Sequence, residues 1–346
     1  MQGTGLLVRY KLSFLFLFVA LSSPFIFSQS YPDSLVNNFL RKGISEIINQ
    51  NYEAATNTFR QLNLKFPNLP LGKIYLAAVD IAKSYDLGDE FNSNFINSNL
   101  NSAREQSKEL VEKEGNNIWY NYFLALSDGY SAYFSAINKS WLTAFSEGLN
   151  ARDDFEKCLK LDPKFYDAYI AIGAYKYWKS RKSEFLEWLP FVKNEEQSGI
   201  DLLKIAINNS SYNKHLAINS LIWIYIDQDE YKNAANLAQE ALKEFPDNRL
   251  FMWGLARAYE NIDKMVSINT YTKVLDSYMQ VPNQNHYKEI ILKHIIAKLY
   301  QKLGDKQKAL AFCNDILSIK DISASVKEKL SNRLRQVKEL KDELAH

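Results

Sequence analysis

The sequence is poor in helix-breaking residues and in the motifs of common catalytic and metal sites. Its 346 residues include only 12 glycines, 8 prolines, 2 cysteines and 4 histidines. So few glycines and prolines suit long helices joined by short loops and argue against an all-β fold. The sequence contains no glycine-rich phosphate loop, no HExxH, no nucleophile elbow and no CxxC. We therefore predict no enzymatic activity, no catalytic or metal-ligating residues, and no cofactor.

The first 28 residues differ from the rest of the chain. Arg9 and Lys11 precede an almost unbroken apolar run over residues 12–21, and serines and a proline follow it. This order is typical of a secretory signal peptide, and we predict cleavage near Ser28. An uncleaved membrane anchor is the alternative, but 16 residues over 12–27 are short against the roughly 20 needed to span a bilayer. The sequence thus predicts an exported protein, periplasmic or extracellular, with membrane contact only if this segment remains.

The charge balance argues against nucleic acid as a partner. The whole chain has 42 Lys and Arg against 40 Asp and Glu, a formal charge of +2. Residues 1–28 contain two cations and no acid, so their removal leaves 40 against 40 and a formal charge of zero. A nucleic-acid binder normally has a net basic surface, and we therefore predict no nucleic-acid binding.

A short pattern of small and bulky residues occurs three times, with steps of four, three and five residues before a proline. Its copies are Ala55, Phe59, Leu62 and Pro67, then Ala151, Phe155, Cys158 and Pro163, then Ala234, Ala238, Ala241 and Pro246. A helix-like run follows each proline. The pattern resembles that of the tetratricopeptide repeat (TPR), in which two antiparallel helices nest. Such a repeat cannot bury its own apolar face, so its neighbours must stack.

The resemblance implies an all-α fold, a right-handed α-solenoid of antiparallel helix pairs over residues 29–346. The repeats are clearest over residues 151–210, 214–246, 249–280 and 286–320. A capping helix with one apolar stripe is predicted over residues 323–344. We also predict a loop over residues 86–94, a close helix contact at Gly173, and an inserted short helix or lid over residues 181–196. Cys158 and Cys313 occupy packing positions several repeats apart and are predicted to be buried and unbonded.

A groove is the candidate functional site. In TPR proteins the first helix of each pair lines the concave side. The resemblance places Ile226 there together with six candidate partner-binding residues: Tyr177, Trp223, Trp253, Arg257, His294 and Lys298. Tryptophan and arginine dominate binding hot spots because they bury a large area and keep a polar handle. We therefore predict a non-enzymatic scaffold that holds a peptide or helix of a partner protein. The competing interpretation is that the tryptophans only fill space between helices.

Two other classes of function remain open. Aromatic residues make up 14% of the chain, and the clusters at residues 119–123 and 188–191 suggest stacking on sugar rings, as in a carbohydrate or cell-wall binding protein. Most of these aromatics recur at helical spacing, which favours core packing. An enzyme would require a closed cavity under the insert, with Glu184 or Glu187 pointing inward. The sequence does not determine the oligomeric state or the identity of the partner.

Overall fold

The computed structural model describes residues 29–138, 140–183 and 194–345, and these form sixteen α-helices. The helices are α1 Ser34–Ile48, α2 Tyr52–Lys65, α3 Leu71–Leu87, α4 Ser93–Lys113, α5 Ile118–Ile137, α6 Trp141–Leu161, α7 Asp167–Ser183, α8 Glu196–Asn209, α9 Lys214–Asp227, α10 Tyr231–Glu244, α11 Arg249–Tyr259, α12 Lys264–Met279, α13 Tyr287–Lys302, α14 Lys306–Ser318, α15 Ala324–Lys329 and α16 Ser331–Ala345. Consecutive helices pack on one another in pairs along the chain. The predicted all-helical, stacked-pair fold is confirmed.

Short polar side chains begin many of these helices. The Asp33 carboxylate accepts hydrogen bonds from the backbone N–H groups of Leu35 and Val36, at 2.8 and 3.0 Å. An N-cap of this kind satisfies backbone donors that have no partner within the helix. The same arrangement begins six other helices, at Asn92, Asn117, Asn248, Asp263, Asp305 and Ser323.

The repeated pattern marks the contact between the two helices of a pair. Ala55, Phe59 and Leu62 on α2 are all 0% exposed. The corresponding residues of α6 and α10 are also buried: Ala151, Phe155, Cys158, Ala234, Ala238 and Ala241. Small residues at these positions let the backbones approach, and the bulky ones fill the space beside them.

A close backbone approach joins α7 and α8. A Cβ atom added at Gly173 would lie 2.8 Å from the Gly199 carbonyl oxygen, and one added at Gly199 would lie 2.5 Å from the Gly173 oxygen. Both distances are shorter than a real Cβ contact allows. The close helix contact predicted at Gly173 is therefore confirmed, and it requires a glycine on each side.

The structure differs from the predicted elements in two places. Asp86, which we assigned to a loop, belongs to the last turn of α3, and the helix ends instead at Gly88, whose positive φ of 76° favours glycine. The predicted capping helix is two helices, α15 and α16, separated at Leu330. Val326 of α15, Leu330 at the break and Val337 of α16 are all buried in one cluster. Each short helix therefore keeps its apolar side against the last helix pair, α13 and α14.

Two predicted segments lie mainly outside the described residues. The signal peptide, residues 1–28, lies there entirely. Of the insert predicted over residues 181–196, positions 184–193 lie there, whereas 181–183 continue α7 and Glu196 begins α8.

The first helices also contact helices far along the chain. The Asn248 side chain donates to the carbonyl of Ile48 at 2.7 Å, and the Asn285 side chain donates to Asp89 at 2.6 Å. The Tyr212 hydroxyl donates to Asn37 at 2.6 Å. The stack therefore returns on itself, so that α1–α3 lie against α11–α13 and the α8–α9 loop and enclose part of its inner face.

The α7–α8 contact gives a direct test of the packing. We expect Gly173→Ala to lower the free energy of unfolding by about 1–3 kcal/mol, because the new methyl group meets a backbone oxygen that cannot move aside. Gly148→Ala on α6 is the matched control, since its Cβ would lie 3.8 Å from the Tyr175 ring. This control should raise stability by about 0.5–1 kcal/mol, because alanine favours helix interiors. Urea unfolding measures both, and equal effects would contradict the α7–α8 contact.

Candidate functional site

A groove with a volume of about 440 Å³ lies between α9, α11, α13 and α16. We call it the basic groove. Its lining includes five of the six predicted partner-binding residues, Trp223, Trp253, Arg257, His294 and Lys298. Residues four apart lie on one face of a helix, which explains why α11 and α13 each contribute a series: Trp253 and Arg257 on α11, and His294, Lys298 and Lys302 on α13.

The groove has an excess of positive charge. Its lining includes four cations, Arg257, Lys298, Lys302 and Arg333, and one carboxylate, Glu260. Glu260 pairs with Arg257 at 2.6 Å and also accepts the Tyr271 hydroxyl at 2.7 Å. Within the described part of the chain, no carboxylate lies within 4.0 Å of Lys298, Lys302 or Arg333. The groove therefore presents three uncompensated cations beside two tryptophans.

The buried His294 side chain contacts one of the groove cations, Arg333. It is 2% exposed, and its Nδ1 atom lies 3.2 Å from the Arg333 guanidinium. Burial, together with the charges of Arg333 and Lys298, lowers the pKa of His294 to about 4. The imidazole is thus neutral at physiological pH, and Nδ1 can accept a hydrogen bond from Arg333 and orient it.

Tyr177 does not line this groove. It is 0% exposed, and its hydroxyl donates a hydrogen bond to Asp227 at 2.7 Å. Asp227 also accepts a hydrogen bond from Arg181 at 2.7 Å. Burial and the hydrogen bond to Asp227 raise the pKa of Tyr177. In this structure it joins α7 to α9.

A second space lies where α1–α3 meet the later helices. We call it the central cavity; its volume is about 500 Å³, and α1, α2, α3, α5, α9, α11, α12 and α13 contribute to its walls. Trp223 and Trp253 line both the cavity and the basic groove, so they form the wall between the two. Tyr85 and Tyr133 are 47% and 48% exposed, yet burial raises the pKa of both hydroxyls. Both rings line this space.

A buried ion pair closes this cavity on one side. The Arg249 Nε atom lies 3.0 and 3.1 Å from the two carboxylate oxygens of Asp86, and Arg249 Nη2 contacts the same carboxylate. Asp86 also accepts the hydroxyls of Tyr52 and Tyr278, each at 2.9 Å. The side chains of Arg249 and Asp86 are only 8% and 3% exposed. Four helices, α2, α3, α11 and α12, thus meet at one carboxylate.

Lys288 on α13 is a second cation at the cavity. Its Nζ atom lies 5.1 Å from the ring centre of Tyr85 and 6.0 Å from those of Trp253 and Tyr287. Burial lowers the pKa of Lys288 to about 8. Over the described ranges, no carboxylate lies within 4.0 Å of this ammonium group and no acceptor is hydrogen-bonded to it.

Three further polar atoms on the cavity wall are buried and have no hydrogen-bond partner among the residues that the structure describes. They are Gln50 Nε2, His215 Nδ1 and Asn219 Oδ1. Burial lowers the pKa of His215 to about 4, so its ring is neutral near pH 7. Unpaired buried polar atoms are costly, and here three of them share one space.

Other predicted features fall elsewhere. In residues 29–138, 140–183 and 194–345, no three His, Cys, Asp or Glu side chains are grouped to hold a metal, and no helix is long and apolar enough to cross a membrane. Cys158 and Cys313 are buried and unbonded. Trp119 packs edge-on against Tyr31, Phe165 and Tyr212 in the core. The aromatic cluster at residues 188–191, with Glu184 and Glu187, lies outside the described residues.

Comparison with known proteins supports the repeat assignment. Residues 292–322 match the sequence pattern of the tetratricopeptide repeat. The structure is similar to that of the APC/C hetero-tetramer Cut9–Hcn1, with 15% identity, 87% of this chain and 50% of that chain covered, and a TM-score of 0.54. It also resembles PilW, a type IV pilus biogenesis factor (13% identity, 68% and 92% covered, TM-score 0.48). No curated protein sequence matches the chain. Such identities support the fold alone, an all-helical stack of TPR-like helix pairs.

Sequence reasoning located the basic groove but missed the central cavity. Asp86 and Arg249 are 163 residues apart, and no repeat pattern relates them. The available signal was a charged residue next to apolar ones, as at Asp86 after Tyr85 and at Arg249 before Leu250. Helical spacing alone assigns such a residue to the solvent.

The buried pair can be tested by substitutions on one helix. We expect Arg249→Met to lower the free energy of unfolding by about 3–5 kcal/mol, because it leaves the Asp86 carboxylate buried without its cation. Arg257→Met on the same helix is the control. The Arg257 side chain is half-exposed, so its ion pair with Glu260 should contribute at most about 1 kcal/mol to stability. Chemical denaturation measures both losses. Losses of equal size would mean that the Asp86 pair does not hold the structure closed.

Proposed function

We propose that this protein is a non-enzymatic scaffold whose basic groove binds an acidic segment of a partner protein. TPR repeat proteins generally bind protein partners and are typically non-catalytic. The observation that carries the proposal is the charge of the groove: Lys298, Lys302 and Arg333 all line it, and no carboxylate of the described residues lies within 4.0 Å of any of them. An acidic partner would supply the missing charge.

The walls of the groove suit a partner that also has apolar side chains. Trp223 and Trp253 are each partly buried, and the apolar residues Ile291 and Ile295 lie on the opposite helix. Aromatic and arginine side chains at the centre of a groove are the usual anchors of protein interfaces. A segment alternating acidic with leucine-like residues would match both the charges and the apolar wall.

Neutralising two groove lysines tests the proposal. We expect Lys298→Gln/Lys302→Gln to weaken binding of a fluorescein-labelled peptide rich in glutamate and leucine by roughly fivefold, since exposed charge pairs contribute about 0.2–1 kcal/mol each. Fluorescence anisotropy measures the affinity, which should also fall with added salt. Lys327→Gln/Lys329→Gln is the matched control, because it removes the same charge from α15, outside the groove. Equal affinity in the groove variant and the wild type would refute the proposal.

We further propose that the protein is exported and that residues 1–28 are removed. The support is the order of a basic start, an apolar run and small residues in this segment. When the full chain is expressed with a carboxy-terminal tag in a bacterial host, N-terminal sequencing of the exported fraction should begin at Gln29. Leu17→Arg, which places a charge in the apolar run, should retain the protein inside the cell. Recovery of the wild type only inside the cell, with Met1 still present, would rule out the proposal.

A further inference from the structure

The central cavity has polar groups that the protein itself leaves unsatisfied. Asp86 is fully occupied by Arg249, Tyr52 and Tyr278. Lys288 has no such acceptor among the described residues, although it lines the same space. A partly buried ammonium group without an acceptor costs free energy that a bound anion would recover.

We propose that the central cavity binds a small organic anion, with its carboxylate or sulfonate on Lys288 and its apolar body between Tyr85, Tyr133 and Trp253. This site is separate from the basic groove and goes beyond the scaffold function proposed above. The two spaces share only the wall formed by Trp223 and Trp253, so each can be tested without the other.

The size and walls of the cavity suit such a ligand. Its volume of about 500 Å³ falls within the roughly 300–1,000 Å³ of small-molecule pockets, which are mostly apolar with a few polar groups. Ile47, Ile81 and Leu216 add aliphatic wall to the three aromatic rings. Leu216 is 36% exposed, an apolar surface that a ligand would cover.

The polar groups approach the cavity from different helices. Lys288 is on α13, His215 and Asn219 are on α9, and Gln50 follows α1. Lys288 would contact the charged end of the ligand, while the amides and the neutral imidazole offer hydrogen bonds to a second polar group. Such convergence of polar groups from several elements distinguishes a binding site from a packing defect.

The burial of Lys288 makes anion binding dependent on pH. Asp86 and Tyr85 face it from α3, Arg249 from α11 and Tyr287 from its own helix, and Tyr278 of α12 lines the same cavity. Burial lowers the pKa of Lys288 to about 8, so the cation is present below pH 8 and is lost as the pH rises through that value. His215, with a pKa of about 4, stays neutral throughout. Anion affinity should therefore fall between pH 7 and pH 9.

The probe is 1-anilinonaphthalene-8-sulfonate, an aromatic anion whose fluorescence rises in apolar sites. We expect the folded protein to bind it and Lys288→Met to weaken binding by roughly tenfold, the loss of about 1.4 kcal/mol, and to abolish the fall in affinity between pH 7 and 9. Lys329→Met, on α15 and lining neither of the two spaces, is the matched control and should bind as the wild type does. Ala82→Phe, which fills the cavity and keeps the lysine, should block binding if Lys288→Met fails to fold.

Circular dichroism and a cooperative urea transition confirm that each variant is folded before titration. Binding of the acidic peptide should be unchanged in Lys288→Met, which separates this site from the scaffold function. No binding of the probe to the folded wild type would overturn the proposal. Equal losses in Lys288→Met and Lys329→Met, or full binding in Ala82→Phe, would overturn it as well.

Discussion

The ion pair between Asp86 and Arg249 is the contact on which the enclosed part of this fold depends. It joins α3 to α11 across 163 residues, inside the protein, with both partners nearly inaccessible to water. Two charges removed from water are stable only when each is well hydrogen-bonded, and the hydroxyls of Tyr52 and Tyr278 complete the shell of the carboxylate. The interaction therefore specifies one arrangement of the first and later repeats, because any displacement leaves a buried charge without a partner.

That arrangement divides the inner face of the stack into two sites of different character. Where α1–α3 cover it, the inner face becomes a cavity lined by Lys288, whose ammonium group has no ion-pair partner within the described part of the chain. Where they do not, it remains a groove with Lys298 and Lys302 on the same helix. Burial lowers the pKa of Lys288 to about 8, whereas Lys298 and Lys302 in the groove remain exposed. Helix α13 thus contributes lysines to both the central cavity and the basic groove.

The fold and the groove could be predicted well because both follow from local spacing. Ala55, Phe59 and Leu62 recur at positions that face a partner helix, and all three are buried. Residues four apart on α11 and α13, such as Trp253 and Arg257, must share a face. Tyr177 belongs to an equivalent first helix yet is buried and bonded to Asp227. Local spacing places a residue on a face of its helix, but only the neighbouring helices decide whether that face is open.

The amino-acid sequence by itself determined the helices, their pairing and the face on which the groove residues lie, since a period of 3.6 residues and a short code are local properties. Only the tertiary structure decided that Asp86 meets Arg249 and that a cavity forms beside Lys288. The path of a repeat stack is the sum of small rotations between successive pairs. No short stretch of sequence encodes that sum, so contacts between distant repeats become visible only when all the pairs are in place.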